Sequence, residues 1–462
     1  MLRLAAGQVE SLWDEVLAVE VRELPQDLAR IDALLGDPAL LAPIAAHWQA
    51  EAEVSGRSAA GHGRPTIAME TYVRLMVVKQ RSGWGYETLV REVSDSLHLR
   101  RFCLIGIDRR VPEESTVRKL TRRLGAETVN EITRAVLVKA KRETRFVGRA
   151  VRVDSTVIEA DVRYSSDAML ALQGTRALAR EGAKLAGMLK GSATKVRDRS
   201  RSVGKVVRAI SKTLARRTGE AKAQVIELNA RAGAQIARSA REARRLAAQA
   251  KQAARGRGAR AKLRAAVKLE ELTGRCEKVA SQIARRSRGQ KITDRLVSIA
   301  DPDARPIRKG KLGKMTEFGY VAQIAEVTPN TRRGARGFVL PAATAEGNPG
   351  ENTLLPTIMT ELDRLGITPR ELVGDGGFQP GPTCDALPAG TRVFLSGRHE
   401  PGSRRTRKRQ ARYRTGCEGR ISHLKRRYGL GRSRLKGHDG QQTWTGWAIL
   451  AYNLDTYHRY AT

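Results

Sequence analysis

The sequence predicts a mixed α/β domain with a helical region in front of it and a long basic helical insertion inside it. Three observations predict this. Short strand-like runs at 151–157, 318–327 and 371–375, the first rich in β-branched residues, alternate with helical patterns downstream of residue 145. Upstream, from Glu10 onward, apolar residues recur at helical spacing between Pro and Gly breaks. Between the first strand and the others lies a block dominated by Ala, Arg, Lys and Gln. The expected layout is a helical region over 1–145, a catalytic domain made of 146–167 and 292–462, and an insertion over 168–291. A length of 462 residues suits more than one unit at about 100–200 residues each.

Charge narrows the function. Lys and Arg number 85 against 48 Asp and Glu, a formal charge of +37, which suits a polyanion and not a small metabolite. Nucleic acid is the expected partner. A membrane surface is the rival, but the chain has no long uncharged apolar segment, and Arg3 and Glu10 interrupt any signal-like start, so a cytoplasmic place is expected. The four cysteines, Cys103, Cys276, Cys384 and Cys417, are isolated from one another and suggest neither zinc nor a disulfide framework.

In chain order, short helices are expected over 10–53, then after a Gly- and Ser-rich loop at 55–65, over 66–81, 86–97, 115–124 and 126–142. Their tight turns permit a helix-turn-helix with one helix in the major groove, or a helical domain that only packs on its neighbour, and Arg118, Lys119, Arg122 and Arg123 would be exposed in either. The strand at 151–157 places Asp154 near its end, where a turn cap is the plain alternative. Residues 168–291 read as a long helical hairpin, thin in its apolar stripe, broken at Gly256-Arg257-Gly258 and basic outside. It would lie along DNA through salt-sensitive phosphate contacts, or serve as a spacer or oligomerisation arm. Strands follow at 295–300, 318–327 and 337–343, a helix at 353–365, and short strands at 371–375 and 391–395. The Lys309–Lys314 run lacks the terminal Lys-Ser/Thr of a P-loop, so no ATPase is inferred. The last helix, 444–460, carries Trp444, Trp447, Ile449, Leu450 and Leu454 for core packing.

Two acids therefore stand at strand ends, Asp154 and Asp375, and a third stands on a helix. After the basic run 404–409, the residues Arg414, Glu418 and Lys425 return to within roughly 40° of one helical face, one carboxylate between two cations, with Arg426 and Arg427 next. A solvated surface stripe has the same spacing. The order of strand with Asp, helical insertion, further strands, helix, strand with Asp, strand, and helix with Glu is the layout of an RNase H-like domain. Its three carboxylates would meet and repel unless cations lay between them. Two Mg²⁺ or Mn²⁺ ions, about 3.5–4 Å apart, would solve this and would clamp an in-line phosphoryl displacement.

These motifs resemble those of bacterial insertion-sequence DDE transposases. Val153-Asp154-Ser155-Thr156, Val373-Gly374-Asp375-Gly376-Gly377-Phe378 and Arg414-x3-Glu418-x6-Lys425 stand where the family has its acidic segments. Gly85-Tyr86-Glu87-Thr88-Leu89 and Glu114-Ser115-Thr116 resemble the family's helical N-terminal region. The resemblance implies that Asp154, Asp375 and Glu418 are catalytic metal ligands, and that Arg414 and Lys425 hold phosphates near the scissile bond. It also implies cutting at terminal inverted repeats, joining to target DNA, a homo-oligomeric active complex and action at the bacterial nucleoid. Two features depart from it. Ala411 stands where the related signature starts with Tyr, with Tyr413 nearby, and the insertion follows the first strand. An RNase H-like nuclease that does not join strands, or a domesticated DNA-binding relative, is the alternative.

Overall fold

A computed structural model describes residues 1–7, 16–56, 65–162, 166–189, 194–256, 258–308 and 316–461. Most of the loop expected at 55–65, the Arg257 break and the Lys309–Lys314 run lie outside the described residues. The chain forms two compact units, Met1–Asp161 with Tyr320–Thr462, and Val162–Gly319.

The first unit opens with helices α1 Val19–Arg22, α2 Gln26–Leu35, α3 Ala42–Val54, α4 Met69–Ser82, α5 Tyr86–Asp95, α6 Leu97–Phe102 and α7 Glu114–Glu143. Helix α4 is the buried centre of this region, and it stops where Gly83 adopts φ 68°, a left-handed cap open to glycine. The helices expected at 115–124 and 126–142 are both present within α7, separated at Gly125, whose backbone (φ 66°, ψ −171°) is not helical. The charged residues of α4 differ in their company. Arg74 is buried but pairs with Asp32 and, at 3.1 Å, with Glu70, whereas Lys79 is buried with no carboxylate partner among the described residues.

The sheet of this unit runs β3-β1-β6-β7, from β1 Ala150–Ala160, β3 Glu317–Thr328, β6 Glu371–Gly374 and β7 Arg392–Leu395. Strand β6 is parallel to both β1 and β7, and β4 Phe338–Val339 and β5 Ala343–Glu346 pair antiparallel with β3. Between them lie α12 Glu351–Arg364, α13 Pro380–Asp385, α14 Arg404–Arg427, β8 Arg432–Ser433 and α15 Gly437–Ala461. The first strand outruns its expected end at 157 because Glu159 and Ala160 pair with Arg432 and Ser433 of β8. Asp154 is therefore within the strand, at the level where its pairing with β6 ends. The strand expected at 337–343 is split into β4 and β5, with Pro341, which lacks an N–H donor, in the gap. One core gathers Ile158, Ile324, Cys417, Leu424, Ile449 and Tyr452, which joins β1, β3, α14 and α15.

The second unit contains α8 Asp167–Gly187, α9 Ser200–Leu214, α10 Gly219–Gln252 and α11 Ala259–Ser287, with β2 Arg305–Ile307 antiparallel to the first residues of β3. The expected hairpin is α10 with α11, but α8 and α9 pack against them, so the insertion is a helical bundle with its own core. Ile210 and Leu214 belong to α9, and Leu214 is exposed. The apolar stripe looked thin because much of this core is alanine, including Ala232, Ala240, Ala243, Ala247 and Ala250. The segment 295–300 is buried at Leu296, Val297 and Ile299 but is no strand. The Gln282 side chain satisfies the Leu296 backbone instead, donating to its carbonyl at 3.2 Å and accepting from its N–H.

Candidate active site

Strand register brings the two aspartates together. Arg152 of β1 is the partner of Val373 of β6, and two residues further along each parallel strand stand Asp154 and Asp375. Neighbouring strands lie about 4.8 Å apart, so these positions are side by side. Alternation gives their face. Ala150 and Val373, which have the same parity as the two aspartates, pack with Tyr413 of α14, so both acids stand on the face that α14 covers.

Each carboxylate is held by the local backbone. Asp154 Oδ1 accepts a hydrogen bond from the Ser155 amide at 2.8 Å, and Asp375 Oδ1 accepts one from the Gly377 amide at 2.9 Å, a turn that ends β6. Gly377 is required by crowding, since a Cβ there would sit 2.9 Å from Glu351 Cγ and 3.0 Å from Asp375 Oδ1. Glu351 therefore flanks Asp375, and it also accepts a hydrogen bond from Ser155 Oγ. Sequence reasoning missed this acid because it began the helix at 353, which left Glu351 in a loop. The signal was there in the acidic residue after Gly350, a favourable position in a helix's first turn.

Helix α14 reaches the site through Cys417. Its thiol is buried and pushed well up, first by burial and then by the negative charge of Asp154 beside it. Glu418 follows directly, but its side chain is 55% exposed and pairs with Arg414 at 2.8 Å, one turn away. Lys425 Nζ donates to the Val157 carbonyl of β1 at 2.8 Å, and Arg426 and Arg427 are exposed at the helix end. Asp154 and Asp375 are thus brought together, while Glu418 is not brought to them: it follows Cys417 in sequence and its carboxylate lies on Arg414. Among the described residues, no group of three or more His, Cys, Asp or Glu side chains is placed to hold a metal ion. Tyr413 is structural: it is buried, and its hydroxyl is 2.6 Å from Thr328 Oγ1.

A buried ionic network ties these elements together. Arg152, two residues before Asp154, pairs with Glu326 of β3 at 2.6 Å and donates to the Tyr413 carbonyl of α14 at 3.0 Å. Glu326 also pairs with Arg420 of α14 at 3.1 Å and accepts from the Gly337 amide at 2.9 Å. The crossing of α14 over β1 needs a glycine, since a Cβ at Gly416 would lie 1.9 Å from Arg152 Nη1. A sliding of α14 along the sheet would leave a buried guanidinium or carboxylate unpaired, so the network fixes the level of Glu418 relative to Asp154.

Two family models match the chain. Residues 24–123 match "Transposase domain (DUF772)", and residues 308–454 match "Transposase DDE domain", which takes in Asp375 and Glu418. No curated protein and no solved structure matches. The N-terminal helices and the segment from β3 to α15 are thus matched by two transposase models in the expected order, with Asp154 of β1 outside both matches, and the chain belongs to the insertion-sequence DDE transposases, with an RNase H-like catalytic fold.

Proposed function

We propose that this transposase cuts the ends of its insertion sequence and joins them to target DNA by metal-dependent phosphoryl transfer. The reading rests chiefly on the in-register placement of Asp154 and Asp375 on the face covered by α14. Two carboxylates side by side repel, and a hard divalent cation relieves that repulsion. The donor set is all oxygen, with Glu351 beside Asp375 and Glu418 the residue after Cys417, and it suits Mg²⁺ or Mn²⁺. Asp154, Asp375 and Glu418 would hold two such ions, Glu418 by giving up its exposed pairing with Arg414. When bound, the ions supply charge neutralisation at the attacking and leaving oxygens of the displacement.

The chain's own residues do the rest. Arg414, released from Glu418, and Lys425, at the β1 edge of α14, would hold phosphates beside the acids, with Arg426 and Arg427 extending the basic track along the DNA. Terminal inverted repeats and target DNA are the substrates, and a homo-oligomer would hold both ends. No described helix is long and apolar enough to cross a membrane. Action at the nucleoid follows from the substrate.

The test uses purified full-length protein, Mg²⁺ and DNA carrying the element's ends. Asp154→Ala should abolish cutting and leave duplex binding in EDTA within about 1 kcal/mol of the wild type. Retained cutting would remove Asp154 from the reaction. Nicks or breaks without strand-transfer products would make the protein a nuclease instead.

A further inference from the structure

A further cluster of cations shares no residue with the aspartate site. A cavity of about 1060 Å³ in the first unit is lined by Lys79 of α4, Tyr86 of α5, Arg118 and Arg122 of α7, and Arg434 and Trp444 near the C-terminus. Lys79 is its buried member, only 1% exposed. Its ammonium lies 4.1 Å from the centre of the Trp444 ring and 4.8 Å from that of Tyr86. Its one hydrogen bond among the described residues is a long one, 3.5 Å to Gln80 Oε1. Acids do line the cavity, but none pairs with Lys79. Glu114 is 2.8 Å from Arg118, Glu127 is 2.8 Å from Arg134, and Glu87 and Asp439 are exposed.

A buried ammonium with no carboxylate partner is costly to keep charged, and contacts with ring faces offset only part of that cost. A neutral or apolar side chain of the same length would fill the space without that cost. Burial, and then the positive charge of Arg434, lower the ammonium to about 7. A lysine is kept where it is hard to charge, with further cations at the opening, and the space in front of it is nucleotide-sized. An anion entering there would gain a charge-assisted hydrogen bond from Lys79 and fork contacts from Arg434 and Arg122. We propose that this cavity binds a phosphate of the DNA backbone, held by Lys79 at its floor and Arg434 at its rim. The site rests on the reading of the protein as DNA-acting and adds a DNA contact far in sequence from Asp154 and Asp375.

Binding would restore the proton on Lys79. Calorimetry of DNA binding slightly above neutral pH, in buffers of different ionisation enthalpy, should therefore show proton uptake in the wild type and less in Lys79→Met. In EDTA, where nothing is cut, the full-length variants Lys79→Met and Arg434→Ala should each bind duplex DNA about tenfold more weakly, with the salt slope reduced by about one. Arg434 is exposed, so its variant tests the site even if Lys79→Met folds poorly. Wild-type affinity and proton uptake in both variants would overturn the proposal and leave Lys79 a core lysine. Stabilisation of the wild type but not Lys79→Met by inorganic phosphate, with DNA affinity unchanged, would overturn it in favour of a free phosphate ligand. Failure of the wild type to bind DNA at all would sink the functional reading itself, which distinguishes the two.

Discussion

The two units hold themselves together by different physics. In the first, large rings and buried charges share the core: Tyr72 meets Trp447 edge-on at 5.7 Å, Arg134 pairs with buried Glu361 at 2.7 Å, and Glu326 sits between Arg152 and Arg420. In the second, the core is Leu, Ile and Ala, and most ion pairs lie outside, such as Arg231 with Glu227, both more than 60% exposed. Buried ion pairs are directional and costly when broken, so they specify one alignment of strand and helix. Alanine and glycine contacts specify little beyond how closely two helices approach. The unit that carries the Asp154 and Asp375 pair has the directional core, and the inserted bundle has the permissive one.

The largest test of that contrast is Glu326→Ala. It would leave Arg152 and Arg420 buried without their shared carboxylate, at a cost of about 3–5 kcal/mol. Denaturant unfolding should show the loss in the first unit, with the protection of α10 and α11 amides against hydrogen exchange unchanged. A loss under about 1 kcal/mol would mean that the network is decorative and the contrast false.

This network also marks the limit of what the sequence discloses. The strands that carry and precede Asp154 and Asp375 were legible because strand chemistry is local, although β1 runs on past Asp154 to Ala160 through a pairing with β8 that no local pattern announces. The final helix was legible for the same reason, and Trp444 and Trp447 are buried in it as its periodicity requires. Glu326 was not, because its partner Arg152 is 174 residues away and no local pattern links them. The basic residues of α7 look alike in sequence, yet Arg123 lies 3.2 Å over the Trp48 ring and pairs with Glu51, while Arg122 lines the Lys79 cavity. The packing of four helices among the described residues of the insertion was hidden by alanine, which scores weakly in any apolar stripe but packs well where helices are close. The segment 295–300 misled because its β-branched residues are buried, while the pairing that would make them a strand comes from one glutamine side chain.

The permissive core is sharpened by two glycines in the same bundle. A Cβ at Gly174 would fall 2.6 Å from Ile236 Cδ1 and 2.9 Å from Cys276 Sγ, whereas Gly274 has nothing within 4 Å. Gly→Ala in a helix ordinarily stabilises by about 1 kcal/mol. Gly274→Ala should do so, and Gly174→Ala should instead destabilise by about 1–3 kcal/mol through overpacking. Thermal unfolding of both variants reads the sign. Stabilisation by both would mean that the bundle yields even where two helices pack this closely, sharpening the difference between the units.

The smallest effect concerns the bundle's ion pairs. Glu181 of α8 accepts from Lys268 of α11 at 2.9 Å and also meets Lys184 and Arg180. The Lys268 hydrogen bond, chief among these, holds its carboxyl down at about 2 from an ordinary value near 4.5. The folded state therefore favours the charged form. That contribution is complete above about 4.5 and is lost as the pH falls toward 2. Lys268→Met should weaken the bundle by less than about 1 kcal/mol at neutral pH and flatten its acid sensitivity in that window. Denaturant midpoints of both proteins across the range measure this. An effect at neutral pH as large as that of Glu326→Ala would place a structural charge pair in the bundle too, and the distinction between the units would then rest on their aromatic rings alone.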